Sequence, residues 1–197
     1  METENIFRGI LPILILAFVA HRGYYASRHK TAESTVTKRK EGLASNIAGL
    51  IALVGLAATL AYIIQSKWVS WASLPLPIWL RWSGLGFALA GFALLQWSQN
   101  TLGENWSDNP RMIKGQRLIT SGPYRFIRHP IYSAVYLILG STFFLSANWL
   151  IGLAWIGMNA LEVTSRIHYE ESLMLQFFGD AYHDYRKKTG RLFPKIF

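Results

Sequence analysis

Two groups of ionisable residues stand beside long apolar runs, and both combine acids with bases. The first is Arg128-His129-Pro130-Ile131-Tyr132, approached through Gly122-Pro123-Tyr124-Arg125. Pro130 suits the first turn of a helix, where its missing N–H costs nothing. Arg128 and His129 then fall at a helix start, where free backbone N–H groups can bind an anion. The second group is Glu162, Arg166, Glu170 and Glu171. Arg166 is four residues from both Glu162 and Glu170, so each pair shares a helix face. Plainer readings exist for both. Arg128 and His129 would serve as headgroup anchors, and Glu170-Glu171 as a solvated face partnered by Arg166. Ionisable groups at membrane depth are nevertheless functional candidates by default.

The elements that must position these groups are apolar. Of the 197 residues, 51% are hydrophobic and 16% charged, against about a quarter charged in a soluble domain. The length suits one domain. Eight Trp, nine Tyr and eleven Phe suit a chain with two membrane interfaces to anchor. The net charge of +9 would point to nucleic acid in a soluble protein. Here the positive charges avoid the apolar runs, so no nucleic acid is expected and membrane lipids are the expected partners. The absence of cysteine excludes disulfides, thiolate metal sites and thiol nucleophiles. No metal site is expected.

Five apolar runs predict five transmembrane helices: Ile6–Ala20, Leu43–Gln65, Ile78–Ser98, Ile131–Ser146 and Trp149–Val163. A crossing takes about 20 helical residues, and the first, fourth and fifth runs are short by that measure. The first lacks a basic leader and a small-x-small cleavage site, and reads as a retained span. Only Ala147-Asn148 separates the last two, which predicts a tight helical hairpin. Lys and Arg number six in Arg22–Lys40, five in Arg111–Arg128 and six from Arg166 onward. Positive-inside reasoning then places the N-terminus outside and the C-terminus in the cytoplasm. Trp68, Trp71, Trp79, Trp82 and Trp149 form the outer aromatic belt. Both ionisable groups emerge together on the cytoplasmic side. Short connections suit a prokaryotic plasma membrane.

Glycines within the spans, Gly84 and Gly91 among them, read as close-packing positions. Gly84-Leu85-Gly86 follows no strand and fails as a dinucleotide loop. The polar stretch Trp97–Arg128 carries turn signals at Gly103, Asn109-Pro110, Gly115 and Ser121-Gly122-Pro123, with enough apolar residues to argue against disorder. The tail from Arg166 has helical periodicity, divided at Gly179-Asp180, and Gly190 is the expected terminator. The whole reads as a single all-α membrane domain, a polytopic helical bundle. Residues 1–98 supply three spans, and residues 99–197 supply two spans, the loop, the helical tail and a cytoplasmic pocket.

Arg128-His129-Pro130-Ile131-Tyr132, the hairpin, Arg166-x-x-x-Glu170-Glu171, Phe178-Gly179-Asp180-x-Tyr182-x-x-Tyr185 and Thr189-Gly190-Arg191-Leu192-Phe193-Pro194 together resemble the isoprenylcysteine carboxyl methyltransferase family. Membrane phospholipid methyltransferases share much of this pattern. Gly115-Gln116-Arg117-Leu118-Ile119 resembles the family's cofactor-side loop, with Gln116 where many relatives have His. The resemblance implies methyl transfer from S-adenosyl-L-methionine to a lipidic or prenylated acceptor, most simply the C-terminal carboxylate of an isoprenylcysteine. It implies cofactor contacts from Gln116, Leu118, Ile119, Tyr124, His129, Tyr132, Glu170 and Glu171. It places Arg128, Arg166 and Glu170 nearest the reaction. Carboxylates suit the donor's ammonium group, and the α-helix start at Arg128-His129 suits its carboxylate. Three alternatives stay open at this point: N-methylation of a phospholipid amine or other small lipid, a membrane reductase of similar bundle, and a non-catalytic adaptor. Oligomeric state has no sequence signal.

Overall fold

The computed structural model describes residues 2–28, 42–105 and 117–195. Among these residues the chain is nearly all helical, with no strand and only two isolated bridges. Five α-helices follow in order: α1 (Glu2–Arg28), α2 (Leu43–Ile64), α3 (Ile78–Leu102), α4 (Pro130–Ser146) and α5 (Trp149–Lys188). Three-residue-turn helices lie at Ser66–Ala72, Gly103–Asn105 and Gly122–Arg125.

The apolar runs locate the helices but underestimate their lengths. α1 has 27 residues, because helix continues through polar residues on both sides of Ile6–Ala20. α3 passes Ser98 and ends at Leu102. α5 does not stop at Val163. It runs for 40 residues, since buried positions recur at Val163, Ile167, Glu171 and Leu173 after the apolar run is over. Its backbone breaks at Gly179 (φ 51°, ψ −124°), where the sequence predicts a division. The helix ends at Lys188 with Thr189 as the extended cap, so Gly190 stands one residue past the cap, where a terminating glycine is expected. The Thr189 hydroxyl donates to the Tyr185 carbonyl at 2.7 Å, which satisfies one of the orphan acceptors of the last turn.

Among the described residues, three helices are long and apolar enough to cross a membrane: Glu2–Arg28, Leu43–Ile64 and a third that continues from Ile78 to Asn105. α4, with 17 residues, is shorter. The structure thus carries three candidate spans by length and composition, where the apolar runs predict five.

α4 lies between α3 and α5, and α2 packs on α5. Glycine permits the tightest of these contacts. A Cβ on Gly91 would lie 2.7 Å from Ile138 Cγ1 and 2.9 Å from the Ala134 carbonyl, and one on Gly84 would meet Leu145, Phe144 and Ser141 at 2.9 Å. Leu95, Ala134 and Ile138 continue the same seam. The expected hairpin closes at Ala147, which adopts the left-handed region (φ 47°). Asn148 caps α5 through its Oδ1, which accepts from Ile151 N at 3.2 Å, and its Nδ2 donates to the Val69 carbonyl at 2.9 Å.

At this hairpin end Arg81 ties four helices together. Its Nη1 lies 2.7 Å from Glu4, and its Nη2 donates to the Leu145 carbonyl at 2.7 Å and to Tyr62 at 3.0 Å. Trp68, Trp71, Trp79, Trp82 and Trp149 are all surface residues here, and Trp71 meets Trp149 edge to face. The opposite end carries the second polar cluster.

Candidate functional site

The chain reaches the start of α4 through the turn Gly122–Arg125. Pro130 then occupies the first turn of the helix, as its chemistry favours. This fixes Arg128 and His129 immediately outside the helix and Tyr132 just within it. α5 passes alongside and presents Glu170 and Glu171 to them. After α5 ends, residues 189–192 fold back across the same place. The peptide N–H of Arg128 donates to the Gly190 carbonyl at 2.8 Å, and that of His129 to the Arg191 carbonyl at 3.1 Å. Gly190 N returns a bond to the Phe126 carbonyl at 3.1 Å, making a parallel bridge between Ile127 and Gly190. Gly190 is required by close approach, because a Cβ there would sit 1.7 Å from the Phe193 carbonyl oxygen.

These contacts narrow one expectation. The backbone N–H groups of Arg128 and His129 do not stand free for an anion. The carbonyls of the returning strap take both. A sequence pattern identifies a helix start, but it does not show which remote segment will cap it.

The strap also brings charge. Glu171 has a side chain only 5% exposed and receives Arg128 Nε at 2.9 Å, Arg191 Nη2 at 3.0 Å, His129 Nε2 at 3.4 Å and Arg186 Nη2 at 3.7 Å. Burial alone would raise its pKa, but the contacts from His129, Arg191 and Arg128 outweigh burial and hold its carboxyl far below the ordinary carboxylate range. Glu170 is 23% exposed on its side chain. It accepts from the Tyr132 hydroxyl and lies 3.4 Å from His129 Nδ1. His129 is thus held between two carboxylates and stacks on Tyr132. Burial opposes its protonation, yet Glu170 and Glu171 together raise its pKa above the ordinary value. Arg128 also donates to the carbonyls of Arg186, at 3.2 Å, and Thr189.

The structure therefore brings Arg128, His129, Tyr132, Glu170 and Glu171 into one cluster. Arg166 pairs with Glu162 at 3.2 Å, and Tyr132 and Glu170 both bear on its charge. Tyr124 is buried, and its carbonyl accepts from the Tyr185 hydroxyl at 2.7 Å. Leu118 and Ile119 are half-buried on the segment leading into the Gly122–Arg125 turn. Gln116 lies outside the described residues, as does the stretch 106–115. Sequence reasoning missed Arg186, Thr189 and Arg191 as members of the cluster. The available signal was charge balance: a buried carboxylate needs partners, and these residues follow in the C-terminal motif.

Taken together, the apolar helices and the buried ionic cluster at one end define a helical integral membrane protein with a polar site built from its last two helices and its tail. The comparisons with known proteins narrow this class. The model of the "Isoprenylcysteine carboxyl methyltransferase (ICMT) family" matches residues 84–176. A "Protein-S-isoprenylcysteine O-methyltransferase" of Schizosaccharomyces pombe is 31% identical over 116 residues, covering 58% of this chain and 49% of that protein. A "Probable protein-S-isoprenylcysteine O-methyltransferase" of Oryza sativa subsp. indica is 28% identical over 193 residues, covering 97% of this chain and 92% of that protein. Several curated relatives are longer, and the chain spans about half the length of three of them. The solved "eukaryotic intramembrane Ras methyltransferase ICMT" matches with a TM-score of 0.57 at 24% identity, over 80% of this chain and 55% of that one. That likeness speaks for the fold. Over residues 84–176, just under half of the chain, the similarity is thus to the isoprenylcysteine carboxyl methyltransferase family. The relatives named are eukaryotic and lend no support to a prokaryotic membrane.

Proposed function

We propose that this chain is a membrane methyltransferase that uses S-adenosyl-L-methionine to methylate the C-terminal carboxylate of an isoprenylcysteine-like acceptor. One observation carries the reading. The segment that matches the family, residues 84–176, contains Arg128, His129, Tyr132, Glu170 and Glu171, and its helices bring these five together.

The donor set suits the cofactor. Glu170 is a partly exposed carboxylate at the edge of an otherwise buried cluster, as a ligand bearing an ammonium group needs. Tyr132 fixes its position by donating to it. Gln116, Leu118, Ile119 and Tyr124 complete the proposed cofactor side. When bound, S-adenosyl-L-methionine supplies an electrophilic methyl group on a sulfonium. A carboxylate acceptor is already ionised near neutrality, since its reference pKa is about 3.3–3.7. The protein therefore needs no general base. Its tasks are to hold the acceptor carboxylate in line and to exclude water. Arg166, with a side chain one-third exposed, is the residue proposed to hold that carboxylate. Arg128 faces inward to Glu171 and the strap, and is proposed to hold the site's shape.

The proposed topology has five crossings, with α4 and the first part of α5 as the fourth and fifth, the N-terminus outside and the site on the cytoplasmic face. The distribution of Lys and Arg supports it, as does the gathering of tryptophans at the other end.

The test supplies purified chain in lipid with methyl-labelled S-adenosyl-L-methionine and either a farnesylated cysteine or an aminophospholipid. Base-labile label on the cysteine acceptor is expected. Base-stable label on the phospholipid would replace this reading with amine methylation. No transfer to either, with no binding of the donor, would remove it.

A further inference from the structure

The paired glutamates are adjacent in sequence but differ in what is left of their bonding capacity. Ionised carboxylate oxygens offer about four acceptor positions between them. Glu171 faces Arg128, His129, Arg186 and Arg191, and its side chain is nearly sealed from solvent. Arg191 engages both of its oxygens, through Nη2 at 3.0 Å and Nε at 3.4 Å. Glu170 faces one hydroxyl and one imidazole nitrogen, with the Arg166 charge nearby. It has fewer cations in close contact than Glu171 and is more exposed.

Arg191 is the residue that makes this difference. It is 44% exposed on its side chain and sits on the strap, beyond the family-matched segment that ends at residue 176. The strap is held by backbone bonds at Phe126, Arg128 and His129 and by Ser133 Oγ, which donates to the Leu192 carbonyl at 2.5 Å. Arg191 is thereby carried to the solvent side of Glu171, opposite the inward-facing Arg128.

Resting on the methyltransferase reading above, we infer that Arg191 is a positioning residue: it closes the Arg128–Glu171–Arg191 chain, commits Glu171 to structure, and leaves Glu170 as the carboxylate that meets the cationic methyl donor. Without Arg191, Glu171 Oε2 keeps only Arg186, at 3.7 Å, and the carboxylate is free to turn toward His129 Nε2 and draw the imidazole away from Glu170, which faces Nδ1. The imidazole then shifts, and Tyr132 and Glu170 lose their fixed orientation. The acceptor's arrangement is not touched directly, so the effect falls on donor affinity.

The experiment compares wild type, Arg191→Ala, Arg191→Lys, Glu171→Gln, Glu170→Gln and the Arg191→Ala/Glu171→Gln double variant as full chains in lipid nanodiscs. Calorimetric titration with S-adenosylhomocysteine reads affinity without turnover, and steady-state kinetics separates KM from kcat. Arg191→Ala is expected to raise Kd and the donor KM roughly tenfold, about 1.4 kcal/mol, with kcat within about threefold of wild type. Lysine should restore part of the affinity, because it returns the charge but not the two-pronged geometry. The double variant should be no worse than Glu171→Gln alone, since both act through one interaction. Glu170→Gln should weaken binding more than either. Trypsin cleavage at Lys187 and Lys188 should quicken in Arg191→Ala as the strap loosens, with or without ligand. Wild-type affinity in Arg191→Ala, additive losses in the double variant, or loss of kcat at unchanged Kd would each overturn the inference while leaving the methyltransferase reading intact. Absence of both binding and methyl transfer in the wild type would overturn both.

Discussion

Replacing Arg128 with alanine removes the innermost cation of the site and leaves three acceptors short of a donor. These are Glu171, at 2.9 Å, and the carbonyls of Arg186 and Thr189. Removing one partner of a buried pair costs about 3–5 kcal/mol when the remaining charge is uncompensated. Here Arg191, His129 and Arg186 stay near Glu171, which lowers that cost to the bottom of the range. The two carbonyls add about 0.5–1.5 kcal/mol each if water does not replace the guanidinium. A total of about 4–6 kcal/mol is expected, equivalent to a fall of roughly 8–24 °C in the thermal midpoint for a chain of this size. The assay is a melting curve of the purified chain in nanodiscs, read by intrinsic tryptophan fluorescence. Most tryptophans lie at the far end of the bundle, so the signal reports global unfolding. Membrane insertion should persist, because no apolar helix is altered, while donor binding and methyl transfer should be lost. Arg128→Lys should recover under half of the midpoint shift, since one ammonium cannot bridge a carboxylate and two carbonyls. An unchanged midpoint in Arg128→Ala, with full activity, would refute the view that this arginine holds the site together.

Two further outcomes follow from the packing and the charges. Gly91→Leu should destabilise by about 1–3 kcal/mol or prevent folding, because even a Cβ there meets Ile138 and the Ala134 carbonyl. A Cβ at Gly86 on the same helix meets nothing within 4 Å, and Gly86→Leu should leave detergent melting unchanged. The cluster should also confer a pH optimum on stability. Glu171 has a depressed folded pKa, so its contribution is present above its ordinary value of 4.5 and is lost as pH falls toward the folded value. His129 has a raised folded pKa, so its contribution is complete below 6.5 and is lost as pH rises through the folded value. Melting midpoints between pH 4 and 9 should therefore decline on the alkaline side above 6.5, and His129→Gln should flatten that decline.

Helix positions were readable because lipid imposes a single strong rule: continuous apolar residues with their backbone groups paired internally. Leu43–Gln65 predicts α2 to within one residue. Helix ends were less readable wherever burial continued past the apolar run, as at Val163, where Ile167 and Glu171 keep α5 against its neighbours. In the site, the helical spacing of Glu162, Arg166 and Glu170 and the hairpin were sufficient to predict two groups on one side. They could not say that Arg166 would pair with Glu162 or that Arg128 would reach Glu171 from 43 residues away. The strap is hardest to foresee. Its bonds to Arg128 and His129 come from backbone atoms, and backbone atoms carry no sequence signature. Gly190 was legible as a helix stop. Its further constraint, the Phe193 carbonyl against its α-carbon, exists only once the tail has folded back.

The shortness of α4 links the two polar clusters to the proposed chemistry. Seventeen residues at 1.5 Å each make a helix of about 26 Å, less than the roughly 30 Å of a hydrocarbon core. In the proposed five-crossing arrangement both of its ends are drawn inside the membrane boundary, and each end is met by polar groups that would otherwise be costly there. Arg81 takes the Leu145 carbonyl at one end. The strap takes the Arg128 and His129 N–H groups at the other. A longer α4 would raise Tyr132 and Glu170 into the headgroups and away from an acceptor anchored by its lipid tail. A shorter α4 without the strap would leave unpaired peptide groups in apolar surroundings. In that proposed arrangement the returning segment that caps the helix would hold the ionic site at a depth that a lipidic carboxylate could reach.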